Sequence, residues 1–198
     1  FGVPIPTINQ AVVARVLSAR KANRLKLSAK IRSKASLSFS HQETQQSLIA
    51  LADGLYLANL MAFNEGMHML FVASQEKGWN LPLADIARIW KGGCILRTRL
   101  LNRIQLAFQD PNLEMLIESP EFIPDLQKKL SSLCQVAKIG VENHLPLPSF
   151  QGALASLEAW SSSSLPTNLI QAQRDFFGAH TYRRIDREGI FHTQWEDK

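Results

Sequence analysis

The segment from Gln42 to Lys77 places the strongest constraint on the fold, because it predicts a single, very long and largely apolar helix. Ser40 and Glu43 form a capping box at its start, and Gly78 is a residue type that commonly ends helices. A helix of about 35 residues is about 50 Å long. Apolar side chains occur on most of its faces, so other helices must cover it. Polar residues interrupt the apolar sequence and favour a core helix over a membrane span: Asp53, Asn59, Asn64, Glu65 and His68.

Helix signals recur along the rest of the chain, whereas no segment shows the period-two alternation of a half-buried strand. A capping box of Thr7 and Gln10 predicts the first helix, and Gly92-Gly93 predicts a tight turn before a helix from Cys94 to Gln109. Further helices are expected to begin near Asn80, Ser119, Ser149 and Leu169. The predicted fold is therefore all-α, a compact bundle of roughly seven to eight helices with one long central helix and an extended C-terminal tail.

The chain carries a formal net charge of +5, and much of the excess lies in one run of cations without an acid. Its members are Arg15, Arg20, Lys21, Arg24, Lys26, Lys30, Arg32 and Lys34. Such a run can attract nucleic acid, an anionic membrane or a phosphorylated small molecule, but it more often forms a solvated helix face. No aromatic residue is interleaved with these cations, so a platform that stacks single-stranded bases is not expected. We expect neither a nucleic-acid partner nor a membrane partner.

Cys94 and Cys134 lie far apart and have no metal-binding spacing around them. They predict reduced thiols in an intracellular, cytoplasmic protein without a metal site. Asn64, Glu65 and His68 are close together on the long helix, but no fourth ligand is indicated, and a satisfied buried polar cluster is the preferred interpretation. Three arginines at helical spacings are expected to pair with acids or solvent rather than with a ligand: Arg97, Arg99 and Arg103.

The segment from Leu169 to Tyr182 contains the main candidates for a binding site. It reads as a short helix that ends at Gly178, where glycine is expected to take the left-handed conformation. Arg174 and His180 lie about one and a half turns apart near this end, without an evident acidic partner in the same turn. A cation and an imidazole placed in this way favour an anionic ligand over a core position.

Four sequence blocks resemble the C-terminal part of 6-phosphogluconate dehydrogenases. Leu169–Tyr182, Leu-Ile-Gln-Ala-Gln-Arg-Asp-Phe-Phe-Gly-Ala-His-Thr-Tyr, is similar to the family's signature, and Ile190–Trp195 is similar to its terminal hydrophobic-His-Thr-x-Trp segment. Ile86–Arg97 is similar to its Trp-Arg-Gly-Gly-Cys-Ile-Ile-Arg junction, and Phe1–Arg15 to the start of its C-terminal helical domain. The blocks occur in the family's order. Phe63–Gly66, Phe-Asn-Glu-Gly, departs from the family, which more usually has Tyr-Ala-Gln-Gly there.

The resemblance implies an enzyme that oxidises 6-phosphogluconate with NADP and decarboxylates it to ribulose 5-phosphate in the pentose phosphate pathway. It implies that residues 1–180 form a helical domain for substrate binding and dimerisation, and that the tail 181–198 docks on the partner subunit of a homodimer. The first residue is Phe1 rather than methionine, so the chain is expected to be a fragment or a processed piece. The dinucleotide-binding domain, the catalytic Lys and Glu, and most of the NADP site are expected upstream of Phe1, which would leave this chain inactive alone.

By the same resemblance, three residues of this chain contact the substrate. Arg15 is expected to hold the phosphate in its own subunit's site, while Arg174 and His180 reach into the partner's site, as a second cation and as a hydrogen-bond partner of substrate oxygens. His192 and Trp195 are expected to anchor the tail. Composition alone favours a plain surface arginine for Arg15, and a helix-terminal histidine that bonds spare carbonyls is the alternative for His180. For the whole chain, the alternative is a non-catalytic helical module for dimerisation or scaffolding.

Overall fold

The computed structural model describes residues 1–31 and 40–195, and for residues 41 and 42 it describes the backbone only. Two cations of the basic run, Arg32 and Lys34, lie outside these residues, as does the end of the predicted tail at 196–198. Within the described residues, no strand occurs apart from one antiparallel bridge between Tyr182 and Phe191. The predicted all-α class is confirmed.

Eight α-helices follow one another along the described part of the chain. They are α1 (Pro6–Ala19), α2 (Lys21–Ile31), α3 (His41–Lys77), α4 (Leu83–Ile89), α5 (Leu100–Ala107), α6 (Ile123–Glu142), α7 (Pro148–Ser161) and α8 (Asn168–Gly178). A 3-10 helix, Leu116–Glu118, precedes α6. The chain packs in two units, residues 1–158 and residues 159–198, so that α8 belongs with the tail. The predicted domain boundary at residue 180 and the docking of the tail on a partner stay predictions.

Local cap chemistry determines both ends of α3. The Ser40 hydroxyl accepts a hydrogen bond from the Glu43 N–H, and the Glu43 carboxylate accepts one from the Ser40 N–H at 2.8 Å. The predicted capping box is therefore confirmed. Gly78 follows the last residue with a φ of 65°, a conformation that glycine adopts without a steric penalty.

The helix α3 is the core helix of the first unit. It packs against α1, α4, α6 and the 3-10 helix, and Leu57, Leu60, Met61 and Met67 are fully buried. Other helices complete this core with Leu83, Ala87, Leu101, Ile104, Leu133, Ala153 and Leu157. By length and composition alone, Glu43–Lys77 could also cross a membrane. Because its buried side chains belong to the same hydrophobic core as residues of other helices, we identify it as a core helix, as the sequence predicted.

The start of α1 differs from the prediction. The helix begins at Pro6, which places Thr7 at its second residue, where the hydroxyl cannot cap the helix. The Thr7 hydroxyl is buried and has no hydrogen-bond partner within the described residues. Glu65 of α3 takes the capping role instead, because its carboxylate accepts the N–H groups of Thr7 and Ile8, each at 2.9 Å. The free donors of α1 are thus satisfied by a residue far away in sequence.

Asn64 and Glu65 are both buried and both hydrogen-bonded, which confirms the predicted polar cluster for these two residues. The Asn64 side-chain oxygen accepts the N–H of Ile117 at 3.3 Å. The cluster therefore connects α3 to both α1 and the 3-10 helix.

The helix predicted from Cys94 to Gln109 is shorter than expected. Gly93 has a φ of 67°, and residues 94–99 form turns and irregular backbone before α5 begins. Within the predicted helix, the first buried leucine and isoleucine side chains belong to α5, whereas Ile95 is 100% exposed. Since packing of an apolar face stabilises short helices more than intrinsic propensity does, the unpacked residues 94–99 do not extend the helix.

Arg103 forms a polar cluster between α3, α5 and the start of α6. Its guanidinium pairs with Glu121 and Asp125 and donates to the Tyr56 hydroxyl at 2.6 Å, and that hydroxyl donates to Asp125 at 2.6 Å. Burial alone would raise the pKa of Asp125, but the bonds from Tyr56 and Arg103 outweigh it and lower this pKa. The expectation that Arg103 pairs with acids is confirmed.

Glu65→Gln should lower the free energy of unfolding by about 1 to 3 kcal/mol, because the amide can accept from only one of the two N–H groups and presents a donor to the other. Thr7→Val is the matched control, since it removes only a hydroxyl without a partner and should leave stability unchanged or raise it by about 1 kcal/mol. Urea denaturation of the three proteins measures the difference. Equal stability of Glu65→Gln and wild type would show that Glu65 does not cap α1.

Candidate functional site

The only buried residue of α8 is an acid, Asp175, whose side chain is fully buried. Its Oδ1 accepts the N–H of Thr181 at 3.0 Å and lies 2.9 Å from Nδ1 of His192. Its Oδ2 accepts the N–H of Thr193 at 2.9 Å and the indole N–H of Trp195 at 3.0 Å. The carboxylate therefore holds the turn after α8 and the tail together.

The hydrogen bonds around Asp175 determine its ionisation. Burial on its own would raise the pKa of this carboxyl, since it disfavours the charged form. The bonds from the Thr193 N–H, His192 and the Trp195 indole favour the charged form more strongly, and they lower the pKa of Asp175 to about 2. Asp175 is therefore an anion throughout the neutral pH range.

The turn after α8 corrects the predicted helix end. The residue in the left-handed conformation is Ala179, with a φ of 50°, rather than Gly178, and Thr181 also has a positive φ, of 63°. Left-handed backbone costs about 1 to 3 kcal/mol at residues other than glycine. Gly178 has a different purpose: a Cβ there would lie 2.8 Å from Nε2 of His180. The glycine makes room for the imidazole ring.

The tail folds back along α8 within the second unit. The backbones of Tyr182 and Phe191 exchange hydrogen bonds of 2.8 and 2.9 Å, which closes a loop between them. The Trp195 ring meets the Phe176 ring edge to face at 5.9 Å between centroids. His192 and Trp195, which were expected to anchor the tail, both contact Asp175.

Arg174 and His180 lie close together in sequence at the C-terminal end of α8, and both side chains are exposed. Neither forms a salt bridge among the residues that the structure describes, and the His180 ring has no hydrogen bond there. Asp175 follows Arg174 directly but is fully engaged with the tail. The two predicted ligand residues are thus available to solvent on the same unit.

Arg15 belongs to the first unit. It lies on the outward face of α1, in a shallow depression that is lined by Val12, Arg15, Val16, Ala19 and Arg20. Its guanidinium has no ion pair in the described part of the chain. The substrate contacts of Arg15, Arg174 and His180 therefore stay predictions, while the exposure that such contacts require is present at all three residues.

The sequence interpretation missed Asp175. It noted no acidic partner for Arg174 in the same turn, although Asp175 is the next residue. The sequence does contain a signal for a buried acid. Asp175 lies between Arg174 and two phenylalanines, and the tail that follows the helix contains an imidazole and an indole that can donate hydrogen bonds. Nothing in the sequence by itself shows that these donors converge on the carboxylate.

Comparison with known proteins agrees with the resemblance. A family model, "6-phosphogluconate dehydrogenase, C-terminal domain", matches residues 1–195. The decarboxylating 6-phosphogluconate dehydrogenase of Synechococcus elongatus is 42% identical over 98% of the chain and 41% of that protein. The NADP(+)-dependent, decarboxylating enzyme of Bacillus subtilis is 38% identical over 98% of the chain and 42% of that protein. The chain thus spans about two fifths of the length of the curated relatives that it matches.

A solved structure shows the same fold. The Plasmodium falciparum 6-phosphogluconate dehydrogenase was solved in its apo form, with its cofactor NADP+ and with its substrate 6-phosphogluconate. It matches with a TM-score of 0.90 and 38% identity, over 98% of this chain and 42% of that one.

Asp175→Asn should flatten the pH dependence of stability between about pH 2 and pH 4. The carboxyl has a pKa of about 2 when folded and an ordinary value of 3.8, so the unfolded state binds more protons in this range. The wild type therefore loses stability as the pH falls through it. Melting temperatures measured from about pH 5 to pH 2 report this loss.

Asp186→Asn is the control for this titration, because Asp186 is an exposed carboxylate that pairs with Arg184 outside the Asp175 cluster. It should leave most of the acid-induced loss of stability intact. Parallel melting curves for wild type and Asp175→Asn would contradict the lowered pKa of Asp175.

Proposed function

The chain belongs to the 6-phosphogluconate dehydrogenase family, and from this membership we propose that the protein containing it oxidises 6-phosphogluconate with NADP and decarboxylates it to ribulose 5-phosphate. The observation that carries the proposal is the match of the family's C-terminal domain to residues 1–195, together with 42% identity to a decarboxylating relative. We propose the pentose phosphate pathway and the cytoplasm as its setting. Within this protein, the chain supplies substrate phosphate binding and dimerisation.

The chemistry of the substrate supports roles for the three exposed cationic or imidazole residues. A phosphate dianion accepts charge-assisted hydrogen bonds from guanidinium groups, each worth about 1.5 to 3 kcal/mol. Arg15 and Arg174 have no acidic partner among the described residues and can make such bonds. His180 can donate to or accept from the hydroxyl and carboxylate oxygens of the sugar acid. No bond to a spare carbonyl occupies its ring in the described structure, which favours this role over the alternative.

The exposed apolar surface of the first two helices supports a homodimer. The helix α2 has no buried residue, and Leu25 and Ile31 are 59% and 75% exposed. On α1, Val12 and Val16 beside Arg15 are more than half exposed. Apolar side chains in contiguous groups favour a partner surface. We propose that this partner is a second copy, whose Arg174 and His180 join Arg15 in one shared site.

The described residues of the chain include no dinucleotide site of the usual kind. Among residues 1–31 and 40–195 there is no strand–turn–helix unit, and the sequence has no Gly-x-Gly-x-x-Gly motif. When bound, NADP accepts the hydride that the substrate loses. The residues of this chain bind and orient the phosphate and the sugar acid, and we assign no step of hydride transfer to them.

A subunit-mixing experiment tests the shared site. Arg15→Ala and Arg174→Ala should each lower kcat/KM for 6-phosphogluconate by about 10- to 100-fold in the full-length protein, since each removes a charge-assisted bond. When the two variants are mixed and allowed to exchange subunits, one site of each heterodimer is intact. Half of the dimers are then heterodimers, so about a quarter of all sites should regain activity.

Two controls make this result specific. Mixing Arg174→Ala with the double variant Arg15→Ala/Arg174→Ala should restore no activity, because every dimer lacks Arg174. Lys26→Ala, which removes an exposed cation of the same basic run, should retain wild-type activity. Activity of the mixture no higher than the mean of the two separate variants would count against a site shared between subunits. A wild-type protein that neither binds nor turns over 6-phosphogluconate would favour the non-catalytic helical module instead.

A further inference from the structure

His180 stands between two residues in the left-handed backbone conformation. Ala179 has a φ of 50° and Thr181 a φ of 63°. Neither is glycine, and Thr181 is β-branched, the side-chain type least suited to positive φ. Such backbone persists only where surrounding contacts hold it, and it clusters at functional sites.

Three hydrogen bonds connect this turn to α8, and Asp175 accepts two of them. The Asp175 backbone carbonyl accepts the N–H of Ala179 at 2.9 Å, and its carboxylate accepts the N–H of Thr181 at 3.0 Å. The Gln171 side chain donates to the Thr181 carbonyl at 2.7 Å. These bonds bracket His180 on both sides and none involves its ring, which remains free for a ligand.

The same carboxylate is the anchor of the tail. Its remaining contacts are with the N–H of Thr193, the indole of Trp195 and Nδ1 of His192. The fully buried carboxylate thus accepts hydrogen bonds from both the turn and the tail, with the Thr181 N–H on Oδ1 and the Thr193 N–H and Trp195 indole on Oδ2.

We propose that Asp175 is a positioning residue of the substrate site, whose carboxylate holds the Ala179–Thr181 turn so that the His180 imidazole is presented to the sugar acid. This inference rests on the proposed function and goes beyond it, since Asp175 does not touch the substrate. Gly178 contributes the space in which the ring lies. The result is an exposed binding group whose orientation depends on a fully buried anion.

The variant Asp175→Asn tests the proposal because its effect on the turn can be reasoned atom by atom. An amide offers one oxygen and one NH2 group to a site where every backbone contact is a donor. His192 alone can change tautomer and accept from the NH2 group. The amide nitrogen should therefore lie on the His192 side, which leaves the neighbouring Thr181 N–H without an acceptor.

In the full-length protein, Asp175→Asn should raise KM for 6-phosphogluconate and lower kcat/KM by about 10- to 100-fold, the penalty expected for a misplaced binding group. KM for NADP should stay at the wild-type value. The Thr181 amide should exchange its hydrogen faster than in the wild type. Trp195→Phe is the matched control, since it removes one donor to the other oxygen of Asp175 and should change these quantities far less.

A rescue distinguishes positioning from a general loss of structure. Glycine takes a φ of 63° without strain, so Thr181→Gly in the Asp175→Asn background should restore part of the lost kcat/KM. If Asp175→Asn does not fold, Gln171→Met provides the test, because it removes the other bond to Thr181 and leaves the carboxylate contacts in place. It too should raise KM for 6-phosphogluconate alone.

The outcomes separate this inference from the function on which it rests. An active wild type together with unchanged KM values in Asp175→Asn, or in a folded Gln171→Met, would overturn the positioning role alone. A raised KM for both substrates without rescue by Thr181→Gly would overturn it as well, in favour of a purely structural role. A wild type without activity on 6-phosphogluconate would overturn the proposed function and this inference together, even if Thr181 exchange responds to the variants.

Discussion

Burial of α3 is the interaction on which the first unit depends. From Leu57 onward, this helix carries fully buried side chains that share one core with apolar residues of α4, α5, α6 and α7. Its first turns are different, since Leu48 and Ile49 are 60% and 67% exposed. A helix that is apolar on most faces is stable in water only when it is covered, so the exposed first turns mark a part of α3 that the described residues do not cover.

Two buried carboxylates connect segments that apolar packing alone would leave loosely placed. Glu65 accepts two N–H groups at the start of α1, and Asp175 accepts from the turn after α8 and from the tail. A buried charge is costly unless its oxygens are hydrogen-bonded, and both groups satisfy this condition with fixed backbone donors. Because backbone donors have defined directions, each carboxylate selects one arrangement of the segments that it joins.

The local sequence was sufficient to predict both ends of α3. The capping box of Ser40 and Glu43 and the stop at Gly78 lie within a few residues of the helix ends that they determine. The start of α1 could not be predicted in this way, because its cap comes from Glu65, which lies 58 residues after Thr7 in the sequence. Helix capping by a distant residue leaves no trace in the local sequence.

At the candidate site, too, some residues could be proposed from the sequence, whereas their tertiary contacts could not be predicted. Arg174 and His180 could be proposed from their spacing and from the resemblance, since both lie within one short segment of the sequence. Assigning the left-handed conformation to Gly178 failed, because the close approach of the His180 ring, and not backbone conformation, is what requires glycine there. The convergence of Thr193 and Trp195 on Asp175 depends on how the tail returns to α8, which is tertiary information.

The geometry of α8 explains why Arg174 is exposed without an acidic partner among the described residues, although the next residue, Asp175, is an acid. Consecutive residues of an α-helix point about 100° apart, so Asp175 can face the tail while Arg174 faces solvent. The donors of the turn and tail satisfy the carboxylate and lower its pKa, and it is therefore not available to neutralise Arg174. Burying the acid on its own set of donors leaves the arginine without an internal counter-ion. An external anion can then take that place, which is the property that a phosphate-binding arginine needs.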